Sequence, residues 1–188
     1  MKKIAVIFAG GKSSRMKQDK ALMPFGGYGT LAEYQYRRLS SYFSEVYLSA
    51  KNNKFEFNFK LVEDCYNDSS PLVALVSIFE TLDTIDEIFV LSVDAPFVSM
   101  EVIEKIYVEA EPESSAIVVE STHGLEPLCG IYRRSMLTKA KEFLKADNHR
   151  LQALLKEVNV QRVRVEDKAL FMNLNYPHEY EEAIRLLP

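Results

Sequence analysis

Cysteine is scarce in this chain. Cys65 and Cys129 stand alone, without C-x-x-C spacing or a histidine cluster beside them, which argues against a disulfide framework or a zinc site and reads both as reduced structural thiols. Only three histidines occur, none at metal-ligand spacing, and no Ser/His/Asp set suggests a hydrolase. Positive charge is not in excess either. At a net charge of -4, non-specific attraction to nucleic acid or anionic membrane is not expected, so any polyanion must be met by a local cluster. There is no basic arm, long apolar span or secretory h-region; Met1-Lys2-Lys3-Ile4 is charged, but the apolar run after it ends at Gly10. The expectation is a cytoplasmic protein with neither nucleic-acid nor membrane partner. No repeat, low-complexity tract or linker divides the 188 residues, of which 47% are hydrophobic and 27% charged. That fits a single domain over residues 1–188 with a core of its own.

The two best-known phosphate loops are missing as well. A P-loop requires glycine five residues before Gly11-Lys12-Ser13, where Val6 stands, and neither Gly10-Gly11 nor Gly26-Gly27-Tyr28-Gly29 supplies G-x-G-x-x-G.

What the chain does have is the stretch from Phe8 to Pro24, entered from an apolar run, Ile4 to Ala9, that reads as a buried strand. A strand running into two glycines leaves backbone amides free at a sheet's C-terminal edge. Glycine lets the backbone approach a phosphate, and unpaired N–H groups attract the anion. Arg15 and Lys20 add two cations suited to a triphosphate. Phe8, Ala9, Gly10 and Gly11 are therefore candidate nucleotide-binding residues.

Further along, Pro24 to Gly29 reads as a hairpin or loop, and Thr30 with Glu33 as a capping box starting a helix to about Phe43. Glu45–Ala50 and Phe59–Glu63 read as strands, giving a parallel crossover unit. Asp64 follows at a strand end, where it is either a turn residue or a ribose, base or metal contact. Ser70 and Pro71 are the cap and first residue of a helix through Phe79. Glu87 to Val93 is nearly continuously apolar, as a strand covered on both faces is, and it delivers Asp94 to the edge where ligands of open parallel sheets sit. One such aspartate, with phosphates and water, can anchor Mg²⁺. Ser99 caps another helix, Ser115–Glu120 reads as a strand, Ser135–Lys145 as an amphipathic helix, and Arg150–Glu157 as a short second one. Val160–Glu166 alternates like a half-exposed edge strand, and a helix through Tyr180, Ala183 and Leu186 closes the chain. Together these predict an α/β fold, a Rossmann-like three-layer sandwich with a mostly parallel twisted central sheet.

The stretch Phe8-Ala9-Gly10-Gly11-Lys12-Ser13-Ser14-Arg15-Met16-Lys17-Gln18-Asp19-Lys20-Ala21-Leu22-Met23-Pro24 resembles the signature of the molybdenum cofactor guanylyltransferases, commonly L-A-G-G-x-S-x-R-M-G-x-D-K-A-L-L-P. The likeness continues through Asp94-Ala95-Pro96-Phe97, the Glu126-Pro127-Leu128 region and Asn173-Leu174-Asn175-Tyr176-Pro177. It implies transfer of GMP from GTP to the terminal phosphate of the molybdenum-pterin cofactor. Arg15, Lys20 and Asp94 would be catalytic, Asp94 would hold Mg²⁺, and Asp64 would contact the nucleoside. Glu126, Arg150, Asn173 and Asn175 would face the acceptor, and molybdoenzymes or their chaperones would be further partners. The chain departs from the family pattern at Lys17, Ser49, Ser70, Ala74 and Tyr176, which replace glycine, asparagine, two glycines and threonine. Gly11 favours the guanine branch, since cytidylyl relatives usually read L-A-A-G there. The alternatives are another Mg²⁺-dependent nucleotidyltransferase, using CTP or a different phosphorylated acceptor, and a non-catalytic nucleotide-binding relative.

Overall fold

A computed structural model describes residues 3–11 and 18–187. Strand β1 (Ile4–Phe8) is buried along its whole length and pairs in parallel with β2 (Glu45–Ala50) on one side and β4 (Glu87–Ser92) on the other. Outside β2 lies β3 (Lys60–Glu63), also parallel. Strand β6 (Gly124–Arg133) runs antiparallel between β4 and β5 (Ala116–Ser121), and β7 (Val160–Arg164) forms the far edge, parallel to β5. The order is β3-β2-β1-β4-β6-β5-β7, with β6 alone reversed. This is the expected mostly parallel sheet.

Strand periodicity divides the core in two. Ala5, Ile7, Phe89 and Leu91 face helices α1 (Leu31–Ser40), α3 (Met100–Glu109) and α6 (Pro177–Leu186). Ile4, Val6, Phe8, Ile88 and Val90 face α2 (Pro71–Thr81), α4 (Leu137–Lys145) and the short α5 (Leu151–Leu154). Two buried faces explain why the central strands carry no polar alternation.

The helix starts follow the expected caps. The Ser70 hydroxyl accepts from Val73 N at 3.1 Å, Ser99 from Val102 N at 3.4 Å and Thr30 from Glu33 N at 3.0 Å. The capping box at Thr30 is only half made, because the Glu33 carboxylate bonds to Arg37 one turn on, at 3.4 Å. Helix α1 stops at Ser40 rather than Phe43, α5 spans four residues rather than Arg150–Glu157, and a 3-10 turn, Arg134–Met136, precedes α4. The Pro24–Gly29 segment is a hairpin, with Phe25 and Tyr28 exchanging backbone hydrogen bonds of 3.2 and 2.9 Å.

The register of β6 against β5 jumps from Val118–Gly130 to Val119–Glu126. Residues 127–129 therefore have no partners on β5, and the strand bulges toward the sheet's C-terminal edge. Two features hold this bulge. Buried Tyr132 donates its hydroxyl to the Pro127 carbonyl at 2.5 Å, and at Gly130 an added Cβ would lie 2.2 Å from the Ile117 carbonyl oxygen. Only glycine allows the two strands to approach that closely.

Gly130→Ala is accordingly expected to cost on the order of 2–3 kcal/mol, the upper part of the range for overpacking in a core. Urea unfolding should show the midpoint falling with an unchanged slope. An unchanged midpoint would mean that β5 yields without strain.

Candidate active site

Strand order reverses between β1 and β4, since the chain builds outward through β2 and β3 and then returns. Such a reversal opens a crevice beyond the strands' C-terminal ends. On its β1 side, Ala9 is buried and its amide donates to the Ser49 carbonyl at 2.9 Å. Gly10 and Gly11 follow, and Gly11 has φ of 137°, a conformation that strains any residue with a side chain. Lys12–Lys17, and with them the candidate Arg15, lie outside the described residues. The chain re-enters at Gln18, and Asp19 caps a 3-10 turn, Lys20–Leu22, by accepting from Ala21 N at 3.0 Å. Lys54 ties the two flanks together, since its ammonium donates to the Ala9 carbonyl at 3.0 Å and to the Asp19 carboxylate.

On the β4 side stands Asp94. Lys20 donates to its Oδ2 and, at 3.0 Å, to Asn175 Oδ1, while Ser92 Oγ donates to Asp94 Oδ1 at 2.5 Å. The side chains of Lys20 and Asp94 are only 14% and 16% exposed. The loop carrying Asn175 is pinned to this edge by Leu174 N, which donates to the Asp94 carbonyl at 3.0 Å. Glu179, at the start of α6, accepts from the backbone amides of Asn175 and Tyr176 at 2.7 and 2.8 Å, which makes the glutamate's half of a capping box.

Three cavities meet along this edge. The first, about 170 Å³, is walled by Phe8, Gly10, Gly11, Ser49, Asp64 and the start of α2. Two oxygens here, Ser49 Oγ and Asp64 Oδ1, are buried without a hydrogen-bond partner among the described residues. An unsatisfied buried polar group costs about 1–3 kcal/mol, so each calls for a hydrogen-bond partner. Burial pushes the Asp64 carboxyl up, opposed by the charge of Lys51. The second cavity, about 280 Å³, brings Asp94, Glu126, Asn173 and Asn175 together. Ser121 orients Glu126 through a 2.7 Å hydrogen bond, and burial raises the Cys129 thiol so that it stays protonated. Ser92 and Leu128 border both cavities, Leu128 being presented by the β6 bulge. Arg150 is not in this pair. It lines a third cavity of about 490 Å³ with His149 and Lys156, joined to the others through Pro71, Pro127 and Leu128.

The candidates thus line adjoining cavities on the two sides of Lys20 and Asp94, with Arg150 in a third. Sequence reading did not single out Ser92, Leu128 or Lys54. Ser92, a polar residue closing an apolar strand, was the detectable one; the other two have no local signature. Ser70, His149 and Asp147 also approach one another, at 3.5 and 3.2 Å. That is no hydrolase set, because Ser70 Oγ is engaged as a helix cap and the Asp147 side chain is 96% exposed.

Residues 5–164 match the MobA-like NTP transferase domain. A molybdenum cofactor guanylyltransferase of Campylobacter jejuni is 36% identical over 179 residues, which cover 94% of this chain and 93% of that protein. One from Helicobacter pylori is 35% identical over 188 residues, with 97% and 92% covered. The crystal structure of the molybdopterin-guanine dinucleotide biosynthesis protein A of Archaeoglobus fulgidus has the same fold, with a TM-score of 0.84 at 20% identity and 97% of each chain covered.

The raised Asp64 carboxyl sets a pH dependence. A carboxyl raised by folding favours the native state while protonated, and that stability is lost as pH rises through the folded value. Asp64→Asn, permanently neutral, should therefore raise the melting temperature at pH 7–8 and lose the advantage below about pH 4, where the unfolded carboxyl is also protonated. The same variant should bind nucleotide more weakly. A lower melting temperature at neutral pH would show that the charge is compensated within the fold.

Proposed function

The chain belongs to the MobA-like NTP transferase family, a family of nucleotidyltransferases, and we propose that it transfers GMP from GTP to the terminal phosphate of the molybdenum-pterin cofactor. The observation that carries this reading is the Lys20–Asp94–Asn175 cluster, set where the cavity beside the glycine loop and the one holding Glu126 and Asn173 share Ser92 and Leu128. An oxygen of the acceptor phosphate attacks the α-phosphorus, the bond from that phosphorus to the bridging oxygen breaks, and pyrophosphate leaves. Such a step asks the protein for alignment and charge stabilisation rather than covalent participation.

The amides of Gly10 and Gly11, beyond the buried Phe8 and Ala9, hold phosphate oxygens, and Lys20 with Arg15 neutralises the triphosphate. Asp64 and Ser49 meet the nucleoside with their unpartnered oxygens. Glu126, Asn173 and Asn175 orient the acceptor, and Arg150 reaches anionic groups extending into the third cavity. Among the described residues no three His, Cys, Asp or Glu side chains cluster as a metal cage. Asp94 alone suits Mg²⁺ brought in with a triphosphate, because that ion takes one or two carboxylates and fills its shell with phosphate and water. Bound there, Mg²⁺ would supply a Lewis acid at the phosphate oxygens.

No helix among the described residues is long and apolar enough to cross a membrane. We place the protein in the cytoplasm as a single domain, with molybdoenzymes or their chaperones as downstream partners and without a nucleic-acid partner.

The test is pyrophosphate release with Mg²⁺ and molybdopterin-loaded acceptor, comparing GTP, CTP and ATP, with the product identified by mass. GTP should give the guanine dinucleotide; CTP product instead would move the base assignment. Asp94→Ala should lower turnover about a hundredfold or more, the scale of removing one group that stabilises developing charge. Activity that survived this change would overturn the assigned role of Asp94.

A further inference from the structure

The apolar face of α1 carries one polar residue. Leu31, Ala32 and Leu39 are buried on it, as is Gln35, which is fully enclosed. Its amide nitrogen faces three backbone carbonyls in the segment around Asp94: Ala95 at 3.0 Å, Val93 at 3.4 Å and Ser92 at 3.5 Å. Arg38, one turn on, donates to Gln35 Oε1 at 2.6 Å and to the Val98 carbonyl at 2.5 Å. The guanidinium lies 5.9 Å from the Tyr34 ring centroid, and its Nε is buried with no hydrogen-bond partner among the described residues. Arg38 is half-buried, and burial of its guanidinium lowers its pKa.

The arrangement takes hold of the turn that ends β4. Gln35 bonds the Ala95 carbonyl and reaches those of residues 92 and 93 at longer range, Leu174 N takes that of Asp94, and Arg38 takes that of residue 98. The backbone on both sides of Asp94 is thereby fixed from beneath, leaving its carboxylate to Ser92 and Lys20 above. A glutamine that merely satisfied itself in a core could bond any nearby carbonyl; this one turns its two N–H donors on a single four-residue segment, with Ala95 the close acceptor and the carbonyls of residues 92 and 93 sharing the second at longer range.

We propose that Gln35 and Arg38 are positioning residues that hold Asp94 in the geometry that receives a divalent cation with the nucleotide. The inference rests on the role proposed above for Asp94, and its test has a readout apart from turnover. Partners that orient a metal-binding side chain are worth about 10- to 100-fold in metal affinity.

The experiment titrates Mn²⁺ into protein and GTP, without acceptor, and counts free ion by electron paramagnetic resonance. Metal-free GTP affinity and melting temperature are measured alongside. Gln35→Met, which keeps length and loses both the donor and the acceptor, should weaken Mn²⁺ uptake about 10-fold or more, with metal-free GTP affinity within about twofold. Gln35→Glu keeps the acceptor for Arg38 while losing the donor, so it should show the same loss even if the methionine variant fails to fold. Arg38→Lys, which keeps a charge and a single donor, should fall between these variants and the native chain. A lower melting temperature with unchanged Mn²⁺ uptake in the glutamate variant would make the pair purely structural and overturn the inference. Absence of nucleotide-dependent Mn²⁺ uptake by the native chain would instead remove the role assigned to Asp94, and this inference with it.

Discussion

Lys20 and Asp94 are 74 positions apart in the chain and meet at the mouth of the crevice, and much of the architecture can be understood as what that meeting requires. Bringing an ammonium and a carboxylate into a setting less than one-fifth exposed carries a desolvation penalty that their attraction offsets only with good geometry and further hydrogen bonds. The fold provides both. Strands β1 and β4 must be neighbours, Asp19 must cap the turn before Lys20, and the chain must come back at residue 175 to give Lys20 a second acceptor. Ion pairs of this kind are weak grounds for stability.

The nucleotide half was the more legible. Its strands are short apolar runs, its helix α2 begins at Ser70 with a good cap, and its ligand edge follows from where parallel strands end. The acceptor half was less so. Glu126-Pro127-Leu128 does not look like the middle of a ten-residue strand, because proline and a bulge break both the ladder and the alternation that identify one. Glu33 was half misread for a different reason: its carboxylate has two possible partners one turn apart, and sequence cannot rank them.

Gln35, Arg38 and Lys54 were beyond local reading altogether. A glutamine in an amphipathic helix or a lysine in a polar loop looks like any solvated residue. Their partners lie 57 to 60 positions away for the two helical residues, and 35 and 45 away for Lys54. Such contacts become visible only once the sheet has placed the segments side by side. The unpartnered oxygens of Ser49 and Asp64 belong to the same class, since what singles them out is what surrounds them.

The position of β6 bears on how the molecule is made. It lies between β4 and β5 yet is synthesised after both, so β5 cannot join the sheet until Arg133 has been added. Strands β1 to β4, by contrast, pair among themselves from contiguous chain. Asn175 arrives 81 residues after Asp94, an interval of roughly 4 to 16 seconds at about 5–20 residues per second. The second acceptor of Lys20 therefore reaches the crevice only after every strand of the sheet has been synthesised.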